Sequence, residues 1–160
     1  MFRRQLLVLL MGSGLVIHGE AATGASDAPQ AAALPLTDAE WKKRLSTQQY
    51  YVLRKAGTEA SHSSPLNLEK RNGVYHCAGC ELPLFASATK FESGTGWPSF
   101  FAPLPGAVDT KTDLFLIFPR TEYHCVRCGG HQGHVFGDGP KPTGKRYCNN
   151  GVALRFAASA

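Results

Sequence analysis

Four of the five cysteines in this chain of 160 residues form two C-x-x-C pairs, a pattern that strongly constrains the fold. The pairs are Cys77 with Cys80 and Cys125 with Cys128. Two such pairs typically bind one tetrahedral zinc ion through four thiolates, which leaves no coordination position for a substrate. The alternative, a disulfide within each pair, would be strained and redox-active rather than structural. We therefore predict one structural zinc ion per chain, joining two distant hairpins.

Cys148 is the cysteine that remains once the paired ones bind a metal, so its thiol is the one available for chemistry. In an extended strand the side chains of Arg146, Cys148 and Asn150 share one face, because successive side chains alternate. A fixed positive charge beside a thiol lowers its pKa and raises the fraction of nucleophilic thiolate. We expect one strand over residues 146–156, with Cys148 at a cleft and the apolar second half in the core. The alternative is a buried, inert cysteine.

Two further clusters offer chemistry or an aromatic surface. His131 follows Cys128 by three positions, so a metal knuckle would hold the loop from His131 to His134 rigidly. Histidine side chains donate and accept protons near neutral pH. Trp97 lies in a glycine-rich segment, and a thioether packs favourably on an indole face. The alternatives are structural or surface histidines and a tryptophan of the core.

The charge distribution argues against a nucleic-acid partner. The net charge is +5 and the isoelectric point is about 9.1. The basic residues are scattered, and the longest run is Lys42-Lys43-Arg44. Proteins that bind nucleic acid carry clustered basic residues on one face. We therefore expect no nucleic-acid binding.

The first 25 residues have the pattern of a signal peptide. Arg3-Arg4 precede an apolar stretch from Leu6 to Ile17, which is too short to span a bilayer. The two arginines also fit a twin-arginine export signal. We predict a signal peptide over 1–25, a linker over 26–35 and one domain over 36–160. We also expect export to the periplasm, with no membrane association after the signal is removed.

The domain is predicted to be mainly β. Thr37 with Glu40 and Ser46 with Gln49 have capping-box spacing, which predicts two short helices within residues 36–57. From residue 73 onward, short strands alternate with turns rich in glycine and proline, and no helical pattern separates them. The best strand candidates are residues 73–76, 114–118, 122–124 and 152–156. We predict two packed antiparallel sheets with the short helices at the N-terminal edge.

The sequence around Cys148, around the two histidines and around Trp97 resembles that of methionine-R-sulfoxide reductase B, and the resemblance covers nearly all of residues 37–156. The matching motifs are Gly57-Thr58-Glu59, Tyr75-His76-Cys77-x-x-Cys80, Phe91-x-Ser93-Gly94-x-Gly96-Trp97-Pro98-Ser99-Phe100, Arg127-Cys128, Gly133-His134-Val135-Phe136, Asp138-Gly139-Pro140, Pro142-Thr143-Gly144 and Arg146-Tyr147-Cys148-x-Asn150. They occur in the family's order, which leaves little room for coincidence. The resemblance implies a β fold around a zinc ion bound by the four paired cysteines. It also implies reduction of the R epimer of methionine sulfoxide, in oxidised proteins and as the free amino acid.

The resemblance also implies roles for individual residues. Cys148 would attack the sulfoxide sulfur and become a sulfenic acid, which must be reduced before the next turnover. His131 and His134 would bind and protonate the sulfoxide oxygen. Asn150 would orient the attacking region, and Arg146 would stabilise the thiolate.

The substrate side of the site includes one departure from the family. Trp97 and Phe136 would bind the substrate. Many members place a resolving cysteine between the two glycines before the tryptophan, where this chain has Thr95. An internal disulfide with Cys148 would then require dismantling the metal site. We hypothesise that an external thiol, either a thioredoxin-like protein or a small thiol, reduces the sulfenic acid directly in a monomeric enzyme.

Two other functions remain alternatives. One is a thiol–disulfide oxidoreductase that uses a C-x-x-C pair. The other is a non-catalytic zinc-ribbon binding module, which would show clustered basic residues and stacking aromatics.

Overall fold

The computed structural model describes residues 33–114 and 119–159. The predicted signal peptide and most of the predicted linker, residues 1–32, lie outside the described residues. The same holds for residues 115–118, most of one predicted strand. Within the described ranges, no helix has the length and apolar character needed to cross a membrane.

Two short helices open the described region, as the capping pattern predicted. They are α1 (Asp38–Arg44) and α2 (Thr47–Lys55). Both capping boxes are present, with Thr37 and Ser46 as the N-cap residues. Each N-cap side chain stabilises its helix by about 1 kcal/mol because it accepts a bond from a backbone N–H that the helix leaves unpaired. Trp41 is buried, so α1 packs on the core rather than on solvent.

Nine strands of the described region form two antiparallel sheets, which confirms the predicted fold class. They are β1 (Gly73–Cys77), β2 (Pro83–Ala86), β3 (Lys90–Phe91), β4 (Ser99–Phe100), β5 (Val108–Asp113), β6 (Arg120–Cys125), β7 (His131–Phe136), β8 (Arg146–Asn149) and β9 (Leu154–Ala158). One sheet has the order β2-β1-β9, and the other has the order β3-β4-β8-β7-β6-β5. Short 3-10 helices lie at Pro65–Asn67, Ser87–Thr89 and Gly151–Ala153.

An aromatic core joins the two sheets. Phe85 of β2 stacks on Phe100 of β4 with ring centroids 4.3 Å apart, and Tyr75 of β1 meets Phe100 edge-on at 4.9 Å. Tyr123 of β6 and Tyr147 of β8 meet edge-on at 5.3 Å. Each such pair contributes about 0.5–1.5 kcal/mol beyond area burial. Because Tyr147 faces this core, its neighbour Cys148 projects from the opposite face of β8.

The single strand predicted over residues 146–156 is wrong. β8 ends at Asn149, and β9 belongs to the other sheet. The chain turns between them because the Glu59 carboxylate accepts bonds from Gly151 N at 2.6 Å and Val152 N at 2.8 Å. A Cβ at Gly151 would lie 1.9 Å from Ser64 Oγ, so only glycine fits this turn.

Candidate active site

The four paired cysteines form one buried cluster that could hold a metal ion. Their Sγ atoms all lie within 4.8 Å of one another. Cys77 Sγ is 3.6 Å from Cys128 Sγ, and Cys80 Sγ is 3.4 Å from Cys125 Sγ. Four sulfurs at zinc–thiolate bond length around one ion would be about 3.8 Å apart, so the cluster fits a tetrahedral ion. None of the four is in a disulfide. Since β1 and β6 belong to different sheets, a bound ion would tie the two sheets together.

Cys148 lies apart from this cluster and is partly exposed. It lines a cavity of about 220 Å³. The other lining residues are Thr58, Trp97, Arg120, Gly133, His134, Phe136, Asn149 and Asn150. The fold therefore brings four of the predicted site residues, Trp97, His134, Phe136 and Asn150, to the only cysteine outside the metal cluster. His131 and Arg146 do not line this cavity.

A second cavity of about 550 Å³ adjoins the first and is charged. Both cavities are lined by Thr58, Arg120 and His134. The second is also lined by Lys55, Asp113, Glu122 and His131, among others. A bound molecule that places one group in the Cys148 cavity therefore has room for its remaining atoms in the larger second cavity.

Each histidine is held by a carboxylate. His131 donates from Nδ1 to Glu122 Oε1 at 2.9 Å, and His134 donates from Nε2 to Asp113 Oδ2 at 2.8 Å. The two rings contact each other with centroids 5.4 Å apart. His131 is buried, and its Nε2 has no hydrogen-bond partner among the described residues. Burial lowers the pKa of His131 although Glu122 acts in the opposite direction. The lowered pKa favours neutral His131, whose ring contacts His134 without lining the Cys148 cavity.

Arg146 lies near Cys148 but is bound to an acid. Its guanidinium donates two hydrogen bonds of 2.9 Å to Asp138 and lies 4.3 Å from the centre of the Phe136 ring. Burial raises the pKa of the Cys148 thiol, and the positive charge of Arg146 nearby only partly offsets that rise. Arg146 therefore lowers the thiol pKa as predicted, but desolvation of the thiolate has the larger effect, so the net shift is upward.

Asn150 and Glu59 connect the segment after Cys148 to two other parts of the site. Asn150 Oδ1 accepts from Glu59 N at 2.9 Å, and Asn150 Nδ2 donates to Gln132 O at 3.0 Å. Trp97 Nε1 donates to Glu59 O at 3.2 Å. The Glu59 carboxylate also accepts hydrogen bonds from the turn after Asn150. Glu59 therefore fixes the positions of Trp97 and of the end of β8 that carries Cys148.

The sequence that forms this site matches the SelR domain family over residues 45–158. This match covers well over half of the chain. The chain belongs to the SelR domain family, that of methionine-R-sulfoxide reductase B. All of the predicted site residues, from Cys77 to Asn150, lie inside the matched range.

Relatives from plants and bacteria are about 50% identical to this SelR domain protein over the aligned residues. A chloroplastic peptide methionine sulfoxide reductase B1 of Arabidopsis thaliana is 53% identical over 124 residues, which is 77% of this chain and 61% of the relative. That of Oryza sativa is 52% identical, over 76% of this chain and 57% of the relative. A peptide methionine sulfoxide reductase MsrB of Agrobacterium fabrum is 50% identical, over 75% of this chain and 90% of the relative. The chain thus spans less than two thirds of the chloroplastic relatives and most of the bacterial one.

Sequence reasoning missed the acids that hold this SelR site together. Glu59 and Asp138 belong to motifs that match the family, but the sequence suggested no function for either. Asp113 and Glu122 were not identified as site residues. The contacts of these acids appear only in the folded chain, since Glu122 and His131 face each other only when β6 and β7 pair. The segment from His131 to His134 was predicted as a loop, and it is part of β7, so its pairing with β6 was not expected.

The Glu59 contacts yield a prediction about stability. Glu59→Gln replaces one acceptor oxygen with an NH₂ group that faces a backbone N–H of the same turn. We expect a loss of about 2–4 kcal/mol in the free energy of unfolding, because the bonds are buried and charge-assisted. Urea denaturation measures it. The control is Glu81→Gln, an exposed glutamate, for which we expect a change within about 0.5 kcal/mol. Equal unfolding midpoints for the two variants would contradict the role of Glu59.

Proposed function

We propose that this protein reduces the R epimer of methionine sulfoxide to methionine, with Cys148 as the nucleophile. The observation that carries the proposal is the Cys148 cavity, where the thiol outside the metal cluster faces Trp97, Phe136 and His134. Membership of the SelR family and the names of the relatives support the same activity. The stereochemical preference is the finer part of the proposal and comes from the family resemblance.

The reaction transfers oxygen and two electrons between sulfur atoms. Cys148 Sγ attacks the sulfoxide sulfur, the bond between that sulfur and its oxygen breaks, and the oxygen passes to Sγ as the transient sulfur–sulfur bond breaks and methionine leaves. The thiol becomes a sulfenic acid, so Cys148 is oxidised by two electrons and the substrate is reduced by two. Thiol and sulfoxide give sulfenic acid and thioether with no net gain or loss of protons.

We assign protonation of the leaving oxygen to His134, because this ring lines the cavity. Asp113 accepts from its Nε2 and thereby orients the ring. His131 is given a supporting role, since its ring contacts His134 from a buried position held by Glu122. Because burial raises the pKa of Cys148, the resting sulfur is a thiol, and its proton is available for the oxygen that leaves.

Three residues are proposed to bind or support the substrate. Trp97 and Phe136 offer aromatic faces, on which thioether and S-methyl groups pack favourably. Asn150 borders the same cavity. Methionine sulfoxide side chains of oxidised proteins would enter here, and the flanking residues would lie along the larger adjoining cavity.

We propose that an external thiol regenerates Cys148. The other four cysteines are buried in the metal cluster, and Thr95 stands where many family members have a resolving cysteine. A thioredoxin-like protein or a small thiol would attack the sulfenic acid directly, and the resulting mixed disulfide would be reduced by a second thiol. We propose a monomer.

The metal is proposed to be zinc, one ion per chain. Four thiolates form a closed site that zinc fills without an open position, so the ion supports the fold and takes no part in the reaction. The same cluster argues against a thiol–disulfide oxidoreductase, because all four paired thiols are buried together. We also propose export to the periplasm, on the signal-peptide pattern of residues 1–25.

An assay with separate epimers tests the proposal. We expect rapid reduction of a peptide containing methionine-R-sulfoxide, with dithiothreitol as reductant, and reduction of the S epimer at least about a hundredfold more slowly, because a site that places the oxygen of one epimer at His134 directs that of the other away from it. Chromatographic separation of methionine from the sulfoxide measures both rates. Equal rates, or no reduction of either epimer by folded, metal-loaded protein, would overturn the proposal.

A further inference from the structure

Gln132 contacts both the metal cluster and the segment that follows Cys148, and the proposed function gives it no role. It belongs to β7 and is fully buried. Its side-chain Nε2 donates to Cys77 Sγ at 3.4 Å. Its main-chain oxygen accepts from Asn150 N at 2.8 Å and from Asn150 Nδ2 at 3.0 Å. One residue therefore binds a cysteine of the cluster through its side chain and the active-site segment through its backbone.

The orientation of the Gln132 amide follows from its neighbours. Nε2 lies 3.5 Å from Gly130 O as well as 3.4 Å from Cys77 Sγ. A carbonyl oxygen only accepts hydrogen bonds, so the NH₂ end of the amide, and not its oxygen, belongs next to Gly130. A metal ligand sulfur is a thiolate, which also only accepts. The same orientation therefore suits both neighbours when Cys77 binds a metal ion.

The other end of the amide has no partner among the described residues. Gln132 Oε1 is buried and makes no hydrogen bond. An unpaired buried acceptor destabilises the fold, and an apolar side chain of similar size would avoid that cost. The amide therefore costs stability at this position unless its Nε2 makes a bond that is stronger than an ordinary one. A hydrogen bond to a charged acceptor is such a bond.

A zinc ion with four thiolates provides that charge. It carries two more negative than positive charges in a buried position, so groups that donate to its sulfurs stabilise it. Within residues 33–114 and 119–159, Gln132 is the only side chain other than a cysteine that donates to a sulfur of the cluster. Two arginines at the cluster donate to main-chain oxygens and not to sulfurs, Arg54 to Cys128 and Arg127 to Cys80.

We propose that Gln132 is a positioning residue of the metal centre, whose amide donates to the thiolate of Cys77 and thereby strengthens binding of the ion. The proposal rests on the proposed zinc ion and gives Gln132 no step in the reaction. The two bonds from Asn150 fix the backbone of Gln132, so the amide is held towards the sulfur. A donor to a thiolate also withdraws charge from it, which makes Cys77 less reactive towards protons and oxidants.

Zinc affinity tests this role without any sulfoxide. Gln132→Met keeps the unbranched shape of the side chain and removes the donor, and Gln132→Leu is measured alongside. With the full chain, we expect zinc binding about tenfold weaker in both variants, measured by competition with a chromophoric chelator. The control is Gln48→Leu, the same change at an exposed glutamine of α2. Its zinc affinity should equal that of the unsubstituted protein.

The spectrum of the cobalt(II)-loaded protein separates the hydrogen bond from packing. A hydrogen bond to sulfur lowers the energy of its lone-pair electrons, so charge transfer from the thiolate to cobalt(II) needs more energy. We expect the charge-transfer band of both Gln132 variants to move to longer wavelength, and that of Gln48→Leu to stay in place. A packing defect alone would weaken binding without moving the band.

An unchanged zinc affinity or an unchanged charge-transfer band in Gln132→Met would overturn the proposal. So would an equal loss of affinity in Gln48→Leu. If Gln132→Met does not fold, Gln132→Leu decides by the same two measurements. An unsubstituted protein that binds neither zinc nor cobalt(II) would defeat the proposed metal and this proposal with it. Metal binding as expected in a protein that never reduces sulfoxide would defeat the proposed activity alone.

Discussion

Replacement of Cys148 by serine is expected to lower turnover of methionine-R-sulfoxide by at least about a thousandfold, the scale seen when a covalent nucleophile is removed. A serine hydroxyl ionises far less readily than a thiol and does not form a sulfenic acid. The side chain is nearly the same size and is partly exposed, so we expect the free energy of unfolding to change by less than about 1 kcal/mol. Steady-state rates and urea denaturation measure the two quantities.

The metal content of Cys148→Ser serves as the control, because this cysteine lies outside the metal cluster. The variant should bind as much zinc as the unsubstituted protein. Activity within tenfold of the unsubstituted protein would show that the sulfur of Cys148 is not the nucleophile. Loss of activity together with loss of zinc would instead trace the defect to the fold, and Cys148→Ala would then be tested under the same conditions.

Removal of the metal is expected to unfold the protein. A four-thiolate zinc site contributes on the order of 10 kcal/mol to folding, which is comparable with the whole net stability of about 5–15 kcal/mol of a domain. The cluster joins strands of the two sheets, so its loss separates them. Chelation at neutral pH should abolish the near-ultraviolet circular dichroism of the aromatic core.

A matched pair of variants distinguishes a cysteine that binds the metal from one that does not. Cys125→Ser is expected to lose zinc and fold poorly, while Cys148→Ser keeps both metal and fold. Elemental analysis should give one zinc per chain in the second variant. A chelated protein with an unchanged unfolding midpoint, or a purified native protein with no bound metal, would contradict the structural role of the ion.

Local sequence signals predicted the elements whose causes are themselves local. The capping boxes at Thr37 and Ser46 involve residues three positions apart, and both helices begin where these boxes place them. The continuous strand over 146–156 failed for the opposite reason. The turn at Gly151 depends on the Glu59 carboxylate, 92 positions away in the sequence. No alternation pattern near Gly151 contains that information.

In the candidate site too, features with a local signal in the sequence were predicted, and features that depend on long-range packing were not. Counting the cysteines separated Cys148 from the metal cluster, and motifs identified Trp97 and His134, because residue type and order carry these signals. The sign of the thiol pKa shift did not follow from Arg146 alone, since burial of the sulfur is a property of the packed fold. The partner of that arginine, Asp138, was likewise visible only in three dimensions.

A single turnover without reductant tests most directly whether Cys148 carries out the reduction without a partner thiol. The metal-loaded protein is mixed with excess methionine-R-sulfoxide peptide, trapped with a sulfenic-acid reagent and analysed by mass spectrometry. We predict one equivalent of methionine, a trapped sulfenic acid on Cys148 and no modification of the four cluster cysteines. A disulfide between Cys148 and another cysteine of the chain, or formation of methionine with Cys148 unmodified, would contradict this mechanism.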